Sequence, residues 1–198
     1  MARKNGYFTN KFVQYFKRAK KDGVFTIARP DVEEFSDEDF IYIFNGYIAY
    51  RIAPALYEEI RPAAMIACPK PGEVVNLGNR NLTLESILDI WKKNTEHCNH
   101  PAVMTPFSFA TKDSDVLDVF SISGDAGAIP VSVNDDFIAQ LNYPNEVEWH
   151  GCNSISAVIG KIGDGIAECL YMPVKIRPED ESILTDIAMY YNYKSSNI

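Results

Sequence analysis

Two short pairs have side chains suited to chemistry: Cys98-x-His100 and His150-x-Cys152. In an extended strand, side chains at i and i+2 share a face, so each pair can aim two ligands the same way. Together they would supply a Cys2His2 shell for zinc. Zinc ligands are usually separated by two to four residues, however, and the single intervening residue favours a plainer reading of small buried cysteines and surface histidines. The four cysteines, Cys68, Cys98, Cys152 and Cys169, include no C-x-x-C. His97 adjoins Cys98 but points away from it on most backbones, and neither residue lies in a nucleophile signature. The chain has no G-x-x-x-x-G-K-[ST], G-x-G-x-x-G, H-E-x-x-H or G-x-S-x-G. Asp113, Asp115 and Asp118 lack the spacing and glycine of a calcium loop and read as a solvated turn. These residues predict no enzyme, no metal and no cofactor.

Charge is more informative. The chain has 198 residues, 19 Lys+Arg and 27 Asp+Glu, for a net charge of −8. Residues 1–29 hold eight of the basic side chains (Arg3, Lys4, Lys11, Lys17, Arg18, Lys20, Lys21 and Arg29) against one acid, Asp22. That segment is therefore +7 and the remainder −15. An acidic body repels nucleic acid at a distance, but screening over about 8 Å lets a local basic patch engage phosphates.

The elements that would position this patch follow from periodicity. Asn10 is a suitable N-cap, Gly23 a suitable C′ residue, and Lys17, Arg18, Lys20 and Lys21 crowd the last turn, where cations favour the helix dipole. At 100° per residue Phe12, Val13, Phe16 and Ala19 share one arc, while Lys11, Gln14, Lys17, Arg18 and Lys21 share the opposite one. Such a face is either merely solvated or contacts phosphate, an anionic membrane surface or an acidic protein. Candidate nucleic-acid contacts are Lys11, Lys17, Arg18, Lys20 and Lys21.

Downstream, the acidic stretch 31–39 reads as a loop. Strands 40–44 and 47–52 flank Asn45-Gly46, a strong type I′ hairpin signal. A short helix over 55–60 should stop near Pro62, and residues 69–81 read as connection or edge structure. Thr83 caps a helix running to about 95. Strands follow at 103–111, 116–123 and 129–133. Asn134 then caps a helix over 135–141, and strands at 146–150, 154–162 and 166–176 come next, the last two joined by a turn at Gly163-Asp164-Gly165. Pro178 opens a helix to about Tyr191, and 194–198 read as a frayed tail. Helix followed by three strands recurs over 10–52, 83–133 and 134–176, which favours α+β with antiparallel sheets and helices packed on one face. With 46% hydrophobic residues, the chain suits one domain, with room for two similar halves (about 1–80 and 81–176) before the helix at 178–191. No apolar run approaches a membrane span and the N-terminus lacks a signal core, so a soluble cytoplasmic protein is expected. The chain has 11 Tyr. Tyr42, Tyr47 and Tyr50, and Tyr190, Tyr191 and Tyr193, suit either packing with wet hydroxyls or a subunit interface.

Residues 40–52 (Phe-Ile-Tyr-Ile-Phe-Asn-Gly-Tyr-Ile-Ala-Tyr-Arg-Ile) resemble a strand–turn–strand element of DNA polymerase sliding clamps. Residues 130–141 and 163–176, the latter containing Met172-Pro173, resemble the last helix and closing strands of bacterial and phage clamps. The chain is too short for three clamp domains, and Asn45 stands where that family's turn has Asp. The resemblance implies clamp-like β-α-β-β-β units, an acidic homo-oligomer lined by basic helices, sequence-independent contact with duplex DNA, and a pocket for linear peptides from a protein partner such as a polymerase. The competing expectation is a small acidic phage-type inhibitor or accessory factor that acts on a host protein, its −15 body imitating nucleic acid through residues 31–39 and 179–181.

Overall fold

The computed structural model describes residues 6–22, 24–33, 36–64, 66–78, 82–110, 115–124 and 127–195, with the side chains of residues 19, 20, 63, 64, 179, 180, 183 and 192–195 outside the description. Three times, a helix leads into three strands. Helix α1 (Asn10–Asp22) precedes β1 (Val24–Ala28), β2 (Ile41–Phe44) and β3 (Ile48–Ile52). After α2 (Pro54–Ala64) and β4 (Val74–Gly78), α3 (Leu84–Thr95) precedes β5 (His100–Ala110), β6 (Val116–Gly124) and β7 (Gly127–Asn134). The short α4 (Asp135–Ile138) precedes β8 (Glu148–Gly151), β9 (Val158–Ile162) and β10 (Ala167–Tyr171), and α5 (Pro178–Ser195) ends the described chain.

All ten strands form one antiparallel sheet in the order β4-β1-β2-β3-β10-β9-β8-β5-β6-β7. Its middle has an approximate two-fold pattern. β3 pairs with β10, and outward from that seam β2 and β9, β1 and β8, then β4 and β5 occupy matching places. The α+β class and antiparallel pairing agree with the sequence reading. The helices do not keep to one face, however. Alternate strand residues point to opposite sides, and both sides are apolar. On the first face Phe12 and Phe16 of α1, Leu56 and Tyr57 of α2 and Ile138 of α4 pack with Ile27, Tyr50, Phe120 and Tyr171. On the second face Ile87 and Trp91 of α3 cover Tyr42, Ala49, Ile159 and Leu170. Helix α5 also takes the second side, beyond β5, where the Ser121 hydroxyl donates to the Ala188 carbonyl at 2.8 Å. The strands around the seam need cover on both faces because they are apolar on both; β2, for instance, runs Ile41-Tyr42-Ile43 with all three buried.

Several local expectations shift. The residue before α1, Thr9, caps it: its Oγ1 accepts the Lys11 N–H at 3.1 Å, displacing the cap from Asn10. Gly23 lies outside the described residues. The β2–β3 hairpin forms, but Asn45 pairs with Ile48 (N to O, 3.2 Å) and Gly46-Tyr47 become the two turn residues. Only Gly46 has positive φ, 96°, so the turn is II′-like rather than I′. The Asn45 side chain holds this register by accepting the Tyr47 and Ile48 N–H groups, both at 2.9 Å, and by donating to the Tyr15 hydroxyl. Helix α2 continues through Pro62, and β4 is an edge strand, as its Pro/Gly-flanked sequence suggests. Thr83 and Asn134 cap α3 and α4 as read, accepting Ser86 N–H and Asp136 N–H. β10 stops at Tyr171, and α5 extends through Ser195.

Candidate nucleic-acid interface

The α1 helix is seated by its aromatic side. Phe12 and Phe16 are fully buried and stack into a chain of rings with Phe8, Phe25 and Tyr50 at centroid separations of 4.1–6.2 Å. Burial of each Phe contributes about 1.5–3 kcal/mol, enough to fix which side of α1 faces water. The segment before it is tied down as well. Thr9 donates N–H to Gln140 O (2.9 Å) and its hydroxyl to Ala139 O (2.8 Å), and Phe8 bridges to Leu141, so α1 begins beside the end of α4.

That seating leaves Lys11, Gln14, Lys17, Arg18 and Lys21 exposed along one side. The side chain of Lys20 lies outside the described residues. The charge is not unopposed: Lys11 stands 3.6 Å from Asp136 of α4, and Arg18 3.8 Å from Asp22, both pairs well exposed. Exposed pairs of this kind contribute roughly 0–1 kcal/mol and reorganise readily when phosphate competes. Lys17 and Lys21 form no ion pair with a described residue. Between α1 and the β7–α4 corner runs a groove of about 430 Å³, with Lys11, Gln14 and Arg18 on one wall and Asn134, Asp136 and Phe137 on the other. Arg29, the last cation of the basic segment, is not on this surface; it is buried against Asp39.

Sequence reasoning missed Asp136 as a neighbour of Lys11. Its only trace was the Asp135-Asp136 start of a helix, with nothing local to place that helix beside α1. The proposed acidic surface over 31–39 also loses a member, since Asp39 is buried; Asp31, Glu33, Asp37 and Glu38 are exposed. The side chains of Glu179 and Asp180 lie outside the described residues, and Glu181 is exposed. Of the tyrosines read as ambiguous, Tyr50 and Tyr42 are buried, while Tyr47 and Tyr190 are exposed.

The Cys–His pairs come to neighbouring strands. The β5–β8 register sets His100 opposite Gly151 and His150 opposite Pro101. Cys98 turns inward, though, and its thiol donates to Asn94 O and Ala157 O at 2.8 and 3.5 Å. Among the described residues no three His, Cys, Asp or Glu side chains are placed to hold a metal ion. Burial pushes the Cys98 thiol up to about 11 and that of Cys169 to about 12; Cys68 rises to about 11 through partial burial and a bond with Glu58. At neutral pH these three are thiols rather than nucleophilic thiolates. Asp118 accepts from Ser108 at 2.8 Å, its carboxyl raised by burial, Asp115 is exposed, and Asp113 lies outside the described residues. A larger cleft of about 790 Å³ mixes Glu148 and Asp164 with Lys161 and lacks the one-signed charge a phosphate strand requires.

No protein-family model, curated protein or solved structure matches the chain. No helix among the described residues is long and apolar enough to cross a membrane.

Proposed function

We propose that this protein contacts duplex DNA without sequence specificity through the solvent face of α1, as a non-enzymatic, clamp-like accessory protein that works with a protein partner such as a polymerase. The observation that carries this reading is the division of α1. Phe12 and Phe16 are spent on the sheet, half-buried Tyr15 borders the groove, and the exposed side presents Lys11, Lys17, Arg18 and Lys21. Cations of this kind hold phosphates and fix position without reading bases. Single-strand binders, by contrast, need exposed rings on which bases stack. The helix-led three-strand units that meet at the β3–β10 seam, with α1 and α4 side by side on one face, fit the architecture that the clamp resemblance implies.

The test is anisotropy of a labelled duplex titrated with protein across 50–200 mM salt. With about four phosphates neutralised, log K should fall against log[salt] with a slope of about −3 to −4. Reversing Lys11, Lys17, Arg18 and Lys21 to Glu should abolish binding while circular dichroism stays unchanged. An absence of binding at low salt, or binding untouched by the reversal, removes the DNA reading and leaves the acidic surface of Asp31, Glu33, Asp37 and Glu38 as the interaction site of a protein-binding inhibitor.

A further inference from the structure

Two of the four cysteines share one face of the sheet. Cys98 is buried in the apolar cluster under α3, and half-buried Cys152 packs against that same cluster. Cys169 belongs to the opposite face, buried with Tyr50 and Trp149, and Cys68 stands beside Glu58 of α2. The sheet therefore separates Cys98 and Cys152 from Cys169.

Backbone register brings the two together. The β5–β8 ladder sets His100 opposite Gly151, so the next step outward meets Asn99 and Cys152, with Cys98 one residue further. At such a diagonal step Cα atoms lie about 6 Å apart, within the roughly 4.4–6.8 Å that a disulfide spans. The turn that ends α3, in which Cys98 N–H bonds Thr95 O at 3.2 Å, carries the thiol to the second face. There Cys98 Sγ lies 3.5 Å from Ala157 O, at the far end of the loop that Cys152 begins. Burial raises the Cys98 thiol and charge on Cys152 adds to the rise, so the two sulfurs lie within each other's field.

We infer that Cys98 and Cys152 are a redox pair, closing on oxidation by a small disulfide into an intrachain bond that latches the end of α3 to the β8–β9 loop. The chemistry is thiol–disulfide exchange in two steps. Cys152, the more accessible sulfur, loses its proton to solvent and attacks one sulfur of oxidised glutathione, expelling a first glutathione thiolate. Cys98 then loses its proton and attacks Cys152 Sγ in the mixed disulfide, expelling the second. Two protein thiols become one disulfide and the oxidant becomes two thiols. Reduction reverses both steps and returns the cysteines to separate packing positions. This inference does not rest on DNA binding.

The test equilibrates the native full chain with mixtures of oxidised and reduced glutathione, blocks free thiols with N-ethylmaleimide in denaturant, and maps the unreduced digest by mass spectrometry. One peptide pair joined through Cys98 and Cys152 should appear, with Cys169 left free, and dithiothreitol should remove the link. The oxidised protein should melt about 5–10 °C higher than the reduced one, because the bond closes a long loop. Cys98→Ser, which lacks the resolving thiol, should retain one glutathione on Cys152, and Cys68→Ser/Cys169→Ser should form the link as the wild type does. Three results would each overturn the inference: Cys98 and Cys152 both free in the most oxidising mixture, glutathione held on wild-type Cys152 without closure, or Cys152 joined to Cys68 or Cys169 instead.

Discussion

Arg29 grips Asp39 with two buried hydrogen bonds, Nε to Oδ1 at 2.8 Å and Nη2 to Oδ2 at 2.7 Å. The arginine stands at the end of β1, and the aspartate ends the acidic loop that returns to β2. One cation of the basic segment and one acid of the acidic stretch thus neutralise each other inside the protein, and neither belongs to a surface. Arg29 is 7% and Asp39 2% exposed, so removing one partner leaves a buried charge. We expect Asp39→Ala to cost about 3–5 kcal/mol in urea unfolding, and the double apolar variant Arg29→Met/Asp39→Leu to recover much of that loss. A single variant within 1 kcal/mol of wild type would contradict this account.

The pairing of Lys11 with Asp136 gives the DNA proposal a test that does not depend on damaging the helix. Removing the acid frees a cation already in place, so Asp136→Asn should tighten duplex binding about two- to threefold. Lys17→Glu/Lys21→Glu should weaken it and flatten the salt slope by about 0.9 for each phosphate that is no longer neutralised. If Asp136→Asn has no effect or weakens binding, Lys11 is outside the interface.

Alkaline pH should destabilise the fold, and the sign can be worked out. The Cys169 thiol is pushed up to about 12, the Cys98 thiol to about 11 and the Tyr15 phenol to about 12, each chiefly by burial. In the unfolded chain thiols ionise near 8.5 and phenols near 10. Between those values and the folded ones the native state binds more protons, so stability falls as pH rises; below about pH 8 the groups are neutral in both states and add no slope. Urea midpoints should drop between pH 8 and 10.5, and the Cys98→Ala/Cys169→Ala variant should reduce the drop. A midpoint that does not change with pH would refute the burial of these groups.

Gly160 is required by close approach. A Cβ there would stand 2.6 Å from Trp149 Cζ3, 2.7 Å from Val147 Cγ1 and 2.8 Å from Cys169 Sγ. Gly160→Ala should cost about 1–3 kcal/mol by overpacking, and Val147→Ala in that background should restore part of it. Paired thermal melts would decide, with an undisturbed Gly160→Ala protein as the contrary result.

Much of the local structure is legible without the fold because the forces that make it are local. The apolar arc of Phe12 and Phe16 follows from helical period, and Thr83 and Asn134 offer caps to amides two or three residues away. The β2–β3 hairpin is legible for the same reason. Its turn register is not, since Asn45 is held partly by Tyr15, a residue on another element.

What the chain itself determined is the set of elements, their antiparallel α+β character and the division of α1 into an aromatic and a cationic side, because each depends on neighbours within a few residues. Tertiary structure alone decided that Asp136 stands beside Lys11, that Arg29 is withdrawn into the core by Asp39, that helices cover both faces of the sheet, and that the segment after β10 bonds to β7 through Val174 N–H and Ser132 O. The physical reason is that charge and backbone hydrogen bonds act through space over a few ångströms. Composition counts eight cations in the first 29 residues, but only packing brings the distant acids within reach of two of them.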